Sequence, residues 1–307
     1  MTSITIDEAF SESIKIMRNY SESFYRAFKQ LPEEKFLGVA SVYAFCRTVD
    51  DLADEVEDYN YDDNLAELNR LESDLLKIER NEVVKSNYPW WPAFELTVKK
   101  FSIPISSFLM QIQGQKSDLE FEDIQNEDEL IQYSRHVAGS VGLMLLPIIT
   151  TDSSLRNDAK LQQSCESLGI AMQITNILRD VGEDLELRNR LYLPLSLLEK
   201  HDLTKEKIRN LKNNLSKNAD FENFVKLWEE LAKQAEQAYD NFNASLRKID
   251  SDSRLPVYSS SIIYRAILDE VRKNNYDCLT KKNFTSTAKK AKLLSEALIY
   301  TRSLGNE

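Results

Sequence analysis

Two short segments of this chain carry carboxylates at a spacing suited to metal chemistry. In the first, Arg47-Thr48-Val49-Asp50-Asp51-Leu52-Ala53-Asp54, Asp50 and Asp54 are four residues apart and Arg47 precedes Asp50 by three. On a helix, all three share one face. In the second, Asn176, Asp180 and Asp184 recur at i, i+4, i+8, and Gln173 extends the stripe by nearly a turn. Like charges so placed destabilise a helix by roughly a few tenths of a kcal/mol per pair, so the stripe needs a counter-charge. Mg²⁺ would supply it, because it takes oxygen ligands and is typically held by one or two carboxylates together with substrate phosphate oxygens. Two facing stripes would then clamp diphosphates through metal ions.

An acidic i, i+4 pair on a helix is more often a solvated face, and for Asp50 and Asp54 alone that is the ordinary reading. The second stripe argues against it. Ile170, Met172, Ile174, Ile177 and Leu178 surround it, whereas a solvated face would mix Lys with Glu. Asn176 is a mediocre helix former, best explained there as a ligand or hydrogen-bond partner.

The elements that must position these residues read as helices. Between Pro32 and about Val56, the residues Phe36, Val39, Ala40, Tyr43 and Phe45 follow helical spacing, with Glu33 and Glu34 favouring the start. Helical patterns recur at about 5–19, 64–80, 92–100, 104–115, 127–149, 155–185, 221–249, 256–277 and 285–302. No alternating run flanked by hairpin turns argues for a sheet, and no internal repeat is visible. With only 7 Gly and 7 Pro and no linker-like tract, residues 1–307 are expected to form a single all-α domain. Its site would be built from side chains projecting inward from facing helices.

A net charge of −11 excludes a general nucleic-acid binder, although an acidic chain still binds phosphates through a bridging metal. Cys46, Cys165 and Cys278 are odd in number and far apart, and with only 2 His neither a disulfide framework nor a zinc site is expected. The N-terminus has no apolar signal-peptide stretch, and Val141 to Ile149 is too short to span a bilayer. A cytoplasmic monomer is expected. Seven basic residues between Arg272 and Lys292 face a single acidic one, Asp277, in that segment, which raises the idea of a weak peripheral contact with anionic lipid beside the commoner reading of a solvated face. Gly139 and Gly142 lie in an apolar helical pattern without the spacing of a dinucleotide loop, so they read as close helix packing, and no nicotinamide cofactor is expected.

Over nearly its whole length the chain resembles the squalene/phytoene synthase family. The resemblance is carried by Ser21 to Phe28 (SESFYRAF), Tyr43 to Asp51 (YAFCRTVDD), Tyr133 with Val137 to Gly142 (VAGSVG), and Gln173 to Asp184 followed by Arg190 to Pro194 (RLYLP). A late block, Tyr264 to Tyr276, also fits. The resemblance implies an isoprenoid-synthase bundle with a central cavity, in which Asp50, Asp54, Asn176, Asp180 and Asp184 hold two to three Mg²⁺ ions against two prenyl diphosphates. It implies Ser21, Ser23, Arg47 and Arg179 as diphosphate contacts, with Lys281 standing where such enzymes have Arg. Phe24, Phe28, Tyr43, Val137, Gly142, Leu145, Gln173 and Tyr264 are the remaining expected substrate contacts, and Tyr133 is expected near the reacting carbons.

The implied reaction is head-to-head condensation of two farnesyl diphosphates through presqualene diphosphate to the thirty-carbon dehydrosqualene, a step of carotenoid biosynthesis. Forty-carbon phytoene and NADPH-dependent squalene formation are the alternatives within the family. Outside it, an acidic helical scaffold would explain the composition but not the Asn176, Asp180, Asp184 stripe. Tyr20 departs from the family pattern, which has His there. Ala40 departs too, at a position expected to face the pocket, where a large aromatic residue would shorten it.

Overall fold

Side-chain caps start the principal helices where the local sequence offers a short polar acceptor. Thr5 and Glu8 close a capping box at the head of α1 (Ile6–Tyr20), and Asp158 accepts from the backbone N–H groups of Lys160 and Leu161 at the head of α10 (Ala159–Leu187). Asn218 and Ser286 cap α13 (Ala219–Ser245) and α15 (Thr287–Ser303) in the same way. The computed structural model describes residues 4–54, 61–213, 215 and 217–305. Among these the remaining helices are α2 (Glu22–Phe28), α3 (Glu33–Asp54), α4 (Tyr61–Glu79), α5 (Trp91–Phe101), α6 (Ile105–Leu119), α7 (Glu127–Ser134), α8 (Ser140–Ile149), α9 (Ser153–Arg156), α11 (Leu195–Lys200), α12 (Lys205–Asn213) and α14 (Ser251–Lys273). The described residues contain no strand.

The long helices match the expected segments closely, and the differences have local causes. The pattern at 127–149 is one helical path interrupted by a π turn, Arg135–Gly139, between α7 and α8. Helix α14 begins at Ser251, five residues before Pro256, which loses one backbone bond without ending the helix. Helices α2, α9, α11 and α12 are short, so periodicity over a long window misses them.

Helix α10 runs through the core. Thr175 meets the Tyr239 hydroxyl of α13 at 3.0 Å, and the Trp228 indole donates to the Leu178 carbonyl at 3.0 Å, tying α13 along its length. On the opposite flank, α8 and the π turn approach α10 through glycine. A Cβ on Gly142 would lie 2.1 Å from the Cys165 carbonyl oxygen, and one on Gly169 would lie 2.1 Å from that of Ala138. The close helix packing expected of Gly142 is thus present. Phe45, Trp90, Phe94 and Phe108 interlock through ring contacts of 5.0 to 6.3 Å and pin α3 to α5 and α6. No described helix is long and apolar enough to cross a membrane.

Candidate active site

Between α3 and α10 lies a cavity of about 280 Å³. Its wall is largely apolar: Met17, Phe24, Phe28, Val39, Val42, Val137, Leu145, Leu168 and Phe242 are among the lining residues. The polar lining is carried chiefly by Tyr43, Arg47 and Asp50 on α3 and by Gln173 and Asn176 on α10. The helical spacing of each motif thus brings its first members, Arg47 and Asp50 from one and Gln173 and Asn176 from the other, to one cavity. Tyr264 of α14 also lines it, stacking on Phe24 at 5.5 Å. Burial holds the Tyr43 hydroxyl well above its usual range, so it stays protonated.

Arg179, Asp180, Asp184, Ser21 and Ser23 are absent from the wall of this chamber. Arg179 grips Asp180 through two bonds, at 2.8 and 2.5 Å, with both side chains about 15% and 14% exposed. Asp184 pairs with Arg188 at 3.3 Å. Asp54 ends α3, and its side chain lies outside the described residues. Ser21 sits at the junction of α1 and α2, while Ser23 is exposed and accepts from Lys290 at 2.8 Å.

Three further residues singled out in the sequence are not in the wall of this cavity. Ala40 is fully buried yet is absent from the cavity wall, to which α3 contributes Val39, Val42, Tyr43, Cys46, Arg47 and Asp50. Lys281 is 73% exposed and pairs with Asp277, whereas the neighbouring Lys282 reaches Glu183 at 2.5 Å and Asp180 at 3.9 Å. Both lysines line a second cavity with Arg179 and Glu183, under a loop anchored by the Gly182 N–H donating to the Cys278 carbonyl. Tyr133 does not line the apolar cavity. Its hydroxyl donates to Asp118 at 2.9 Å, and its ring stacks on Tyr192 at 5.2 Å.

That contact belongs to a stripe which sequence reading overlooked. Gln111, Gln115 and Asp118 recur at i, i+4, i+7 on α6, and all three are buried. Gln111 lines the cavity, Gln115 donates to Asp50 at 3.0 Å, and Asp118 accepts from both Tyr133 and Tyr192, with Arg190 at 3.9 Å. Polar side chains on the inward face of a helix beside Phe108 and Ile112 were the available signal. Burial, reinforced by the Asp118 charge, holds the Tyr133 hydroxyl far above its usual range. Tyr133 is therefore a neutral phenol whose hydroxyl is oriented by Asp118.

Most of the basic residues at 272–292 meet acidic partners from outside the segment. Arg272 pairs with Glu229 and Glu236, Lys289 with Asp269 and Glu270, and Lys292 with Glu296. All three cysteines are free, and burial pushes the Cys46 and Cys165 thiols up to about 12.

The donors fit magnesium. Asn176 donates its amide to Gln173 at 3.3 Å, leaving its buried carbonyl oxygen with no hydrogen-bond partner on the line that continues to Asp180 and Asp184. Among the described residues no three His, Cys, Asp or Glu side chains gather as a self-sufficient metal site.

The chain belongs to the squalene/phytoene synthase family, whose profile matches residues 17–292. Among curated relatives, it is 34% identical over 305 residues to phytoene synthase 1, chloroplastic, of Zea mays, covering 97% of this chain and 70% of that protein. It is 31% identical over 291 residues to 4,4'-diapophytoene synthase of Staphylococcus haemolyticus, covering 94% and 96%. A crystal structure of a dehydrosqualene synthase in complex with ligand superposes with a TM-score of 0.85 at 36% identity, covering 97% of this chain and 98% of that one. The protein is accordingly a prenyltransferase-type synthase with the all-α isoprenoid synthase fold.

Proposed function

We propose that this enzyme condenses two farnesyl diphosphates head to head, through presqualene diphosphate, to the thirty-carbon dehydrosqualene. The observation that carries the reading is the apolar chamber whose polar lining joins Arg47 and Asp50 to Gln173 and Asn176. The 0.85 superposition on a dehydrosqualene synthase supports it. Asp50, Asp54, Asn176, Asp180 and Asp184 are the proposed Mg²⁺ ligands. Bound there, the metal stabilises the negative charge that develops on the diphosphate as its C–O bond breaks.

The residues of the chain perform the rest. Arg47 and Arg179 offer planar forks to the diphosphate oxygens, and Lys282 adds a point charge beside Asp180. Phe24, Phe28, Leu145 and Leu168 enclose the prenyl chains and exclude water, which would quench an allylic cation. Tyr133, oriented by Asp118, is proposed to position or transfer a proton in one half-reaction.

Phytoene formation from geranylgeranyl diphosphate is the second reading, favoured by the identity to plant phytoene synthases. Incubation with Mg²⁺ and equal farnesyl and geranylgeranyl diphosphates, with and without NADPH, is expected to yield dehydrosqualene by product mass in both cases. Predominant phytoene would refute the chain length, and squalene appearing only with NADPH would refute the reductant-free product. In the same assay Tyr133→Phe is expected to alter the ratio of presqualene diphosphate to final product. Wild-type rates of both would remove the hydroxyl from the mechanism.

A further inference from the structure

The residue that breaks the family pattern before the first serine block has a defined contact. Tyr20 is the last residue of α1, and its ring centre lies 4.4 Å from the Arg47 guanidinium carbon on α3. The chain leaves helical geometry at Ser21, with φ −147° and ψ 80°, before α2 begins. Tyr20 is 57% exposed, so its ring contributes little to the core. What it does cover is one face of a cation that lines the cavity.

We propose that Tyr20 is a positioning residue that holds the plane of the Arg47 guanidinium at the cavity, leaving its edge free to exchange carboxylate partners for diphosphate oxygens. The inference rests on the diphosphate reading above. A guanidinium stacks through its face and donates hydrogen bonds through its edge, so the two interactions do not compete. Along that edge, one terminal nitrogen faces Asp50 at 3.4 Å and the other bonds Asp51, while the buried Nε has no partner. An arriving diphosphate oxygen can take Nε or replace Asp50 by a small movement within the plane. Without the ring, the guanidinium is free to tilt out of that plane, and part of the binding free energy goes into restoring it.

The test uses the full chain, inorganic diphosphate with Mg²⁺ as a calorimetric probe, and steady-state turnover of farnesyl diphosphate. Tyr20→Leu is expected to weaken diphosphate binding and raise KM by about three- to fivefold, the size of an exposed cation–π contact, with kcat changed less than about twofold. Thermal stability should stay at the wild-type value, which separates positioning from a structural role. Tyr20→Phe and Tyr20→Trp keep a ring and should restore wild-type binding. In an Arg47→Gln background, adding Tyr20→Leu should weaken binding no further. A wild-type affinity in Tyr20→Leu, or the same loss with and without the Arg47 guanidinium, overturns the inference alone. If the wild-type protein neither binds diphosphate nor turns over farnesyl diphosphate, the functional reading falls and takes this inference with it.

Discussion

Asp180→Asn is expected to lower turnover by about two to three orders of magnitude, the scale on which one preorganised charge-stabilising group acts in a water-excluded site. The substitution preserves volume and removes only the charge. Because Asp180 is the bidentate partner of Arg179, and both side chains are largely buried, the same change also strands a guanidinium. Leaving such a group unpaired costs about 1–3 kcal/mol, so the melting temperature should fall by a few degrees while the helical fold persists. Circular dichroism at the assay temperature separates the two effects. A folded Asp180→Asn protein with near-normal turnover would remove Asp180 from the metal and diphosphate machinery.

Gly142→Ala is expected to act through packing, and its effect on stability should be the larger of the two. The new Cβ would sit 2.1 Å from the Cys165 carbonyl oxygen and 2.6 Å from its carbon. These are backbone atoms of a helix packed on several sides, so no side chain can rotate away and α8 must separate from α10. Overpacking of this kind costs about 3 kcal/mol or more. Since Gly142, Leu145, Cys165 and Gly169 all line the cavity, the separation also deforms the substrate chamber. Thermal denaturation should show a loss several-fold greater than that of Gly305→Ala, whose added Cβ would meet nothing closer than 3.7 Å. Equal melting temperatures for the two variants would show that the helices can part freely.

Hydrophobic period and helix-start residues are local properties, and they made most long helices legible to within a few residues. The two carboxylate motifs were legible for the same reason: i, i+4 spacing fixes a shared face before any tertiary contact forms. Gly142 was readable as a packing position because an apolar helix has few other uses for glycine.

Which face meets which neighbour is a tertiary property. Ala40 shares a helix face with Tyr43 and Arg47, yet of the three only Tyr43 and Arg47 line the cavity. Adjacent lysines are equivalent in sequence, yet the loop anchored on Gly182 sends Lys282 toward Asp180 and Lys281 into solvent. The basic run at 272–292 looks unbalanced until Glu229, Glu236 and Asp269, from outside it, fold against it. The buried pair of tyrosines on Asp118 joins residues far apart in the chain, as does the stacking of Tyr20 on Arg47. The sequence by itself determined the helices and the spacing of the charges. Only packing decided the partners of those charges, because a side chain's electrostatic environment is set by whichever helices come within a few ångströms of it.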